Sequence, residues 1–581
     1  MRKVNLVLLF LCACIFISNG QNRQKSYDIV IYGGTSAGVS AAIQSSRMNK
    51  SVLLIEPTSR IGGLTTGGLG ATDIGSKKAI GGISKEFYLN IKKYYSKPEN
   101  WNWQNPDEYE QSRNDKNEDA MWTFEPSAAL KVYQEMMRPE QIDVVYNERL
   151  NRESGVKKQE QKIVEIEMES GRKFKGKVFI DATYEGDLMA ASGVTYTYGR
   201  ESNKEYGETL NGVQANNVGL TLKGGVSKNS LHHNFVSRVD PYVVKGDPSS
   251  GLLPFIEEGA PGVDGEGDKG IQAYCFRMTL TDHPDNRIPF KKPANYNELD
   301  YELLFRNYEA ADGPIEDMYY YGESVVPWIN TPMPNRKTDT NNQKGFSTDF
   351  IGQNHDYPEA SYAEREKIVQ RHKDYQQGLM WTLAYHPRTP EKVRAIASQW
   401  GTCKDEYESE DGWQEQLYIR EARRMVSDYV MTQRNCEGLD VAEDAVSYAG
   451  YGMDSHQVKR YVDVNGYVQN EGNVEARGMP PYPVSYRSIV PKAEECNNLL
   501  VPVCVSATHI AFGSIRMEPV FMVLGQSAAT AASLAIDSNV DIQNVDYTTL
   551  RNTLLKDKQI LVYDPNNSRE QKLDYIINNA N

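Results

Sequence analysis

The residues with the clearest chemical potential lie near the start of the chain, in Gly33-Gly34-Thr35-Ser36-Ala37-Gly38, with Glu56 following. In such a run Gly33 permits a tight turn and Gly38 lets a helix pack closely on a strand. The helix N-terminus then aims its free N–H groups at a diphosphate. An acid about 20 residues further on accepts hydrogen bonds from a ribose, and its charge disfavours a 2′-phosphate. The pattern therefore points to FAD or NAD rather than NADP. Thr35 stands where the middle glycine of G-x-G-x-x-G is usual. Its side chain must turn away from the phosphates, or the backbone approach is looser.

Redox chemistry on an alcohol or amine also needs a group that takes the proton while hydride leaves. His509 and His456, the latter in Gly452-Met453-Asp454-Ser455-His456, are the histidine candidates. Arg336, Asp339, Arg420, Arg424, Tyr482 and Arg487 could anchor an oxygen-rich or anionic substrate. Arg420 and Arg424 would share a helix face at (i, i+4) spacing. Arg424 and Arg487 join the two histidines as the catalytic candidates. No metal site is expected, because Cys275, Cys403, Cys436, Cys496 and Cys504 include no C-x-x-C pair. That spacing disfavours zinc and a cluster built from local cysteine runs. One or two disulfides are possible, with at least one thiol left over.

These groups need elements to hold them. Tyr27 to Tyr32 reads as a buried strand, Ser36 to Asn49 as a helix and Ser51 to Glu56 as a second strand, which is one βαβ unit. Helices are expected at Glu86–Tyr95, from Phe124 to Met137, at Ala363–Leu383, at Glu415–Gln433 and at Met517–Ile536. Strands are expected at Ile142–Tyr146, Ile163–Met168, Lys177–Ile180 and Leu499–Val505. The 581 residues exceed what one core usually organises. Residues 21–199 and 496–581 read as two parts of a dinucleotide-binding domain, and 200–495 as an inserted α+β substrate domain.

Residues 1–20 carry Arg2 and Lys3, an apolar run from Leu6 to Ile17, and small residues before Gln21, as a secretory signal peptide does. A lipid-attachment reading of Leu11-Cys12-Ala13-Cys14 is weakened by the apolar residues that continue past Cys14. The mature chain is expected to be periplasmic or secreted, with no transmembrane segment. A net charge of −14 argues against a nucleic-acid partner, which needs clustered cations.

Further segments carry a resemblance. Arg60-Ile61-Gly62-Gly63-Leu64-Thr65-Thr66-Gly67-Gly68 follows Glu56-Pro57, and Phe179-Ile180-Asp181-Ala182-Thr183-Tyr184-Glu185-Gly186-Asp187 comes later. Arg420-Glu421-Ala422-Arg423-Arg424-Met425 and Ser506-Ala507-Thr508-His509 through Arg516-Met517-Glu518-Pro519 complete the set. Together with the glycine turn they resemble the FAD-dependent oxidoreductase family common among secreted bacterial proteins, some of whose members are called xanthan or polysaccharide lyases. The resemblance implies a Rossmann-like, glutathione-reductase-like fold around FAD. It places Arg60, Gly62, Gly63, Ala182, Thr183, Ser506, Thr508, Arg516 and Glu518 beside the cofactor. The helix starting near Met517 would point its positive end at the flavin and stabilise charge gathered there on reduction.

Secretion favours FAD over NAD, since a tightly held prosthetic group is not lost outside the cytoplasm. The reading that follows is hydride transfer between a small polar substrate, a carbohydrate among the options, and flavin, with electrons passing to an unidentified acceptor. The competing reading is a polysaccharide lyase or glycan-binding protein on a nucleotide-binding scaffold.

Overall fold

The computed structural model describes residues 25–562 except 111–112, 114–117, 216–232, 236–237 and 311–324. The expected signal segment lies outside the described residues. β1 (Ser26–Tyr32), α1 (Ser36–Arg47) and β2 (Val52–Glu56) form the expected βαβ unit, followed by α2 (Gly82–Tyr95), α3 (Pro126–Met137) and β3 (Ile142–Tyr146). β4 (Val156–Gln159), β5 (Lys162–Glu167) and β6 (Lys173–Asp181) then make an antiparallel meander. The last strand, β6, returns to lie parallel beside β1, Val30 opposite Phe179 and Tyr32 opposite Asp181. β2 pairs in parallel with both β1 and β3. The fold is therefore mixed α/β, built on a parallel sheet.

The near-continuous apolar run of β1 follows from burial on both faces. Ile29 and Ile31 join one apolar cluster, while Val30 and Tyr32 join another on the opposite face. The first cluster continues without a break through Phe276, Leu280 and Leu383. Leu280 lies in, and Phe276 just before, a second sheet, antiparallel throughout, in the order Trp328–Met333, Lys337–Asn342, Met278–Thr281, Gly401–Cys403, Arg287–Pro289. The helix Tyr362–Tyr385 opens on a capping box made by Ser361 and Glu364.

Two expected elements differ. Only Leu499–Leu500 pairs with β6, which ends at Asp181; Val501 turns to Ile489, and Cys504 to Met425. The Glu415–Gln433 helix does not form. Apart from a two-residue strand at Arg424–Met425, this stretch is irregular until a short helix at Gln433–Cys436. Arg420, Glu421, Arg423 and Arg424 are buried and paired with partners on other segments, so the (i, i+4) pairing of Arg420 and Arg424 has no helix to support it.

The helix Glu518–Ser538 is long and apolar enough to cross a membrane, yet it is buried almost all round as a core helix. Its Gly525 faces Ala37 so closely that a Cβ there would fall 2.2 Å from the Ala37 carbonyl oxygen. The five cysteines 275, 403, 436, 496 and 504 are all free and buried, so the disulfides considered possible are not formed.

Candidate functional site

Between β1 and α1 the chain turns through Gly33 at φ +100°, where an added Cβ would lie 2.7 Å from the Ala182 and Thr183 backbone. Gly38 is equally constrained, since its Cβ would fall 1.9 Å from the Gly33 carbonyl oxygen. Only glycine permits both approaches. Thr35 caps α1, its hydroxyl accepting from the Gly38 N–H and donating to the Ala182 carbonyl at 2.7 Å. The hydroxyl thus points to the end of β6 and takes up only the Gly38 N–H, which leaves the Ser36 and Ala37 N–H groups at the open end of α1 unobstructed by it.

Glu56 lies at the end of β2. Its carboxylate accepts the Gly34 N–H and the Thr58 N–H, both at 2.7 Å, while burial pushes the carboxyl up to about 7. The Gly62 N–H donates to the Gly34 carbonyl at 2.6 Å, which brings the Arg60–Gly63 segment against the turn. Tyr184, from the Asp181–Asp187 segment, ties the region together. Its hydroxyl accepts the Leu64 N–H at 2.9 Å and donates to Glu518 at 2.7 Å, and Glu518 also accepts from Thr65. Burial raises the Glu518 carboxyl. Segments around Leu64, Tyr184 and Glu518, far apart in the chain, therefore meet beside the N-terminus of α1.

Thirteen of the cofactor candidates gather here: Gly33 to Gly38, Glu56, Arg60, Gly62, Gly63, Ala182, Thr183 and Glu518. Ala182 and Thr183 form a satisfied turn, with the Thr183 hydroxyl bonded to Asp181. Arg60 keeps its Nε and one Nη buried with no hydrogen-bond partner. A glycine cradle, an open helix end, a buried acid and an unsatisfied guanidinium fit an adenine dinucleotide, whose phosphates accept and whose ribose donates hydrogen bonds.

Ser506 and Thr508 bind elsewhere. Ser506 accepts from the Ser427 N–H, and the Thr508 hydroxyl donates to Glu208 while capping the helix His509–Ile515. His509 next to it is 2% exposed. One ring nitrogen meets Glu421 at 2.7 Å, the other Ser455 at 3.0 Å, and burial together with Arg424 and Arg200 pushes it down to about 3. Arg424 is fully buried between Glu421 and Glu201. Arg487 is instead half-exposed, pairing with Asp444 at 3.0 Å. Tyr482 is buried, donating to Ser514, and Arg336 is a surface residue paired with Asp282.

A second charged cluster surrounds Tyr418. The guanidiniums of Arg277, Arg420 and Arg516 lie 5.9, 4.7 and 5.8 Å from its ring centre. Arg516 donates to the Tyr418 hydroxyl at 2.9 Å and to Asp454 at 3.0 Å. Arg277 pairs with Asp339 at 2.7 Å and faces Asp73 at 3.7 Å. Arg420 pairs with Asp349 at 2.9 Å. His456 joins the two arms, with Asp349 at 2.7 Å on one ring nitrogen and Asp454 at 3.5 Å from the other. Burial alone would raise the Asp349 carboxyl, but Arg420 and His456 outweigh it and hold it at about 2. Asp454 is held low in the same way by His456 and Arg516.

This cluster adjoins the nucleotide region directly. Gly68 abuts the Arg277 backbone, the Ala71 N–H donates to Asp339, and only Met517 separates Arg516 from Glu518. Sequence reading did not single out Tyr184, Arg277, Tyr418, Asp349 or Asp454 as site residues. Tyr184 stands within Phe179–Asp187 and Asp454 within Gly452–His456, whereas Arg277, Asp349 and Tyr418 stand in stretches without a motif.

No curated protein matches the chain. Among solved structures, the anhydrotetracycline hydroxylase OxyS from Streptomyces rimosus is similar over 31% of this chain and 36% of its own, at 11% identity and a TM-score of 0.20. GidA from Aquifex aeolicus matches over 31% and 34%, at 14% identity and 0.20, and T. acidophilum thioredoxin reductase over 32% and 41%, at 17% and 0.17. The chain thus spans less than half the length of each. The family model described as FAD dependent oxidoreductase matches residues 28–554. With a candidate dinucleotide cradle in place and that match covering most of its length, the chain belongs to the FAD dependent oxidoreductase family.

Proposed function

We propose that the protein transfers hydride between a small polar substrate, a carbohydrate among them, and its flavin, at the charged cluster around Tyr418, with His456 holding the proton. Bound FAD supplies a two-electron acceptor and donor. The observation that carries the reading is the position of His456. Its side chain is 13% exposed and bracketed by two ionised aspartates, whereas His509 is sealed among its partners. A histidine between carboxylates keeps one nitrogen oriented and gains support for the charge it acquires when a substrate hydroxyl gives up its proton. Asp349 orients the ring through Nδ1, and Arg420 holds Asp349 in place. Asp454 is the looser partner at 3.5 Å and can yield to a substrate oxygen at Nε2. Arg516 donates to Asp454 and keeps it ionised. The apolar leader segment supports action outside the cytoplasm.

The test is anaerobic reduction of the purified yellow protein, followed by bleaching of flavin absorbance across a panel of sugars and small alcohols. His456→Asn is expected to keep bound flavin while slowing bleaching by about 100-fold, the usual contribution of a positioned base. Unchanged bleaching removes His456 from the mechanism. Double-bond formation in an acidic polysaccharide without any bleaching would favour the lyase reading instead.

A further inference from the structure

Beside the Arg60 segment lies a cavity of about 200 Å³ that is walled on one side by Thr58 to Ile61 and Tyr146, and on the other by Tyr407, Trp413 and Gln416. It is too small for a whole dinucleotide, and suits a single heterocycle. Its walls are unsatisfied. Arg60 has a buried Nε and Nη without partners, and Trp413, 2% exposed, has a buried Nε1–H without one. Burying such donors is costly unless something accepts from them. The Arg60 guanidinium also lies 5.4 Å from the Tyr407 ring centre, so a flat cation and an aromatic face border the same space.

We infer that this cavity takes the adenine of FAD, and that Tyr407, Trp413 and Arg60 recognise it; the inference rests on the FAD reading of the neighbouring glycine turn. Adenine offers ring nitrogens as acceptors for the Arg60 and Trp413 N–H groups, and a π-face for Tyr407 and the guanidinium. Its exocyclic amine finds acceptors in Glu408 and Glu415, which also line the cavity. Glu56, which holds the ribose in this reading, is two residues from Thr58 in the wall and lies opposite Tyr146 in the sheet register. Base and ribose are thereby served by adjoining groups. The consequence is that residues 407–416, which follow the second sheet in the chain, form half of a cofactor pocket whose other half comes from the βαβ unit. The cofactor then bridges the two.

The experiment uses flavin-stripped full-length protein titrated separately with FAD, ADP and FMN by calorimetry, in wild type, Trp413→Phe, Tyr407→Ala and Arg60→Met. Each variant is expected to bind FAD and ADP about tenfold more weakly, the loss of roughly one good contact, with FMN binding unchanged. Trp413→Phe removes the N–H together with part of the buried indole, so its thermal melt without ligand reports whether the fold is kept. FAD and ADP affinities equal to wild type in folded variants would overturn the adenine assignment. A wild-type apoprotein that takes up no FAD would instead overturn the cofactor placement underneath it. Equal weakening of FAD, ADP and FMN also overturns the assignment, since it would mean a general distortion of the site.

Discussion

Substituting Gly38 by alanine tests whether α1 is held where its N-terminus can bind phosphate. The new Cβ would fall 1.9 Å from the Gly33 carbonyl oxygen, so α1 must retreat by about 1.5 Å to reach ordinary contact. Retreat is blocked, because on the other side Ala37 meets Gly525 of the long helix with no room for a methyl group. Overpacking of this kind costs about 1–3 kcal/mol. A similar shift of the helix N–H groups takes phosphate hydrogen bonds from about 2.9 Å to beyond 4 Å, and losing one or two charge-assisted bonds weakens binding by about 10- to 100-fold or more. The assay is flavin content, from the ratio of flavin to protein absorbance after purification, with a thermal melt of each protein. Gly466→Ala is the control, since nothing lies within 4 Å of its Cβ and only its φ of +83° is strained. That variant should lose about 1–2 kcal/mol and keep its flavin. Gly38→Ala with full flavin and an unchanged melt would refute the clamped-helix reasoning.

His509, pushed down from about 6.5 to about 3 by burial, favours folding with the ring neutral, so the stability it contributes is full above pH 6.5 and is lost as pH falls toward 3. Between pH 7 and 5 that loss is about 2 kcal/mol, and His509→Gln should abolish that part of the pH dependence in reversible melts; identical pH profiles would contradict it. Thr35→Val removes the hydroxyl that donates to Ala182 and caps α1, which should cost about 1 kcal/mol in a melt while FAD affinity changes less than threefold, and a larger change would put that hydroxyl on the phosphates. Protein begun at residue 25 should expose five thiols to a thiol reagent only after denaturation without reductant, and a count of three or one would reveal disulfides.

Much of the nucleotide site was legible in the order of residues because its determinants are local. A positive-φ turn, a cap and a close helix–strand contact are all made within six consecutive residues, and Glu56 follows one strand later. The Arg60–Gly63 and Asp181–Thr183 segments were singled out by resemblance to the family, and each lies at or just beyond the end of a strand. Thr35 shows how far that logic reaches: the sequence left open a side chain turned away or a looser backbone approach, and the structure supplies the hydroxyl's acceptor, the carbonyl of Ala182, 147 residues distant.

Asp339, Arg420, His456 and Arg516 were candidates in the sequence, but their meeting in one charged cluster was not legible, because nothing local predicts which buried ions will pair. Asp349, Tyr418, Arg420, Asp454, His456 and Arg516 come from segments far apart, and their pairing depends on strands and irregular stretches converging in three dimensions. The same cause defeated the helix expected at Glu415–Gln433. Arginines at (i, i+4) spacing read as a solvated helical face only if solvent is their partner. Here Arg420 and Arg424 are both buried, and a buried guanidinium must find its carboxylate wherever the fold has placed one. Short-range geometry is thus written in neighbouring residues, whereas long-range electrostatic matching exists only once the chain has closed upon itself.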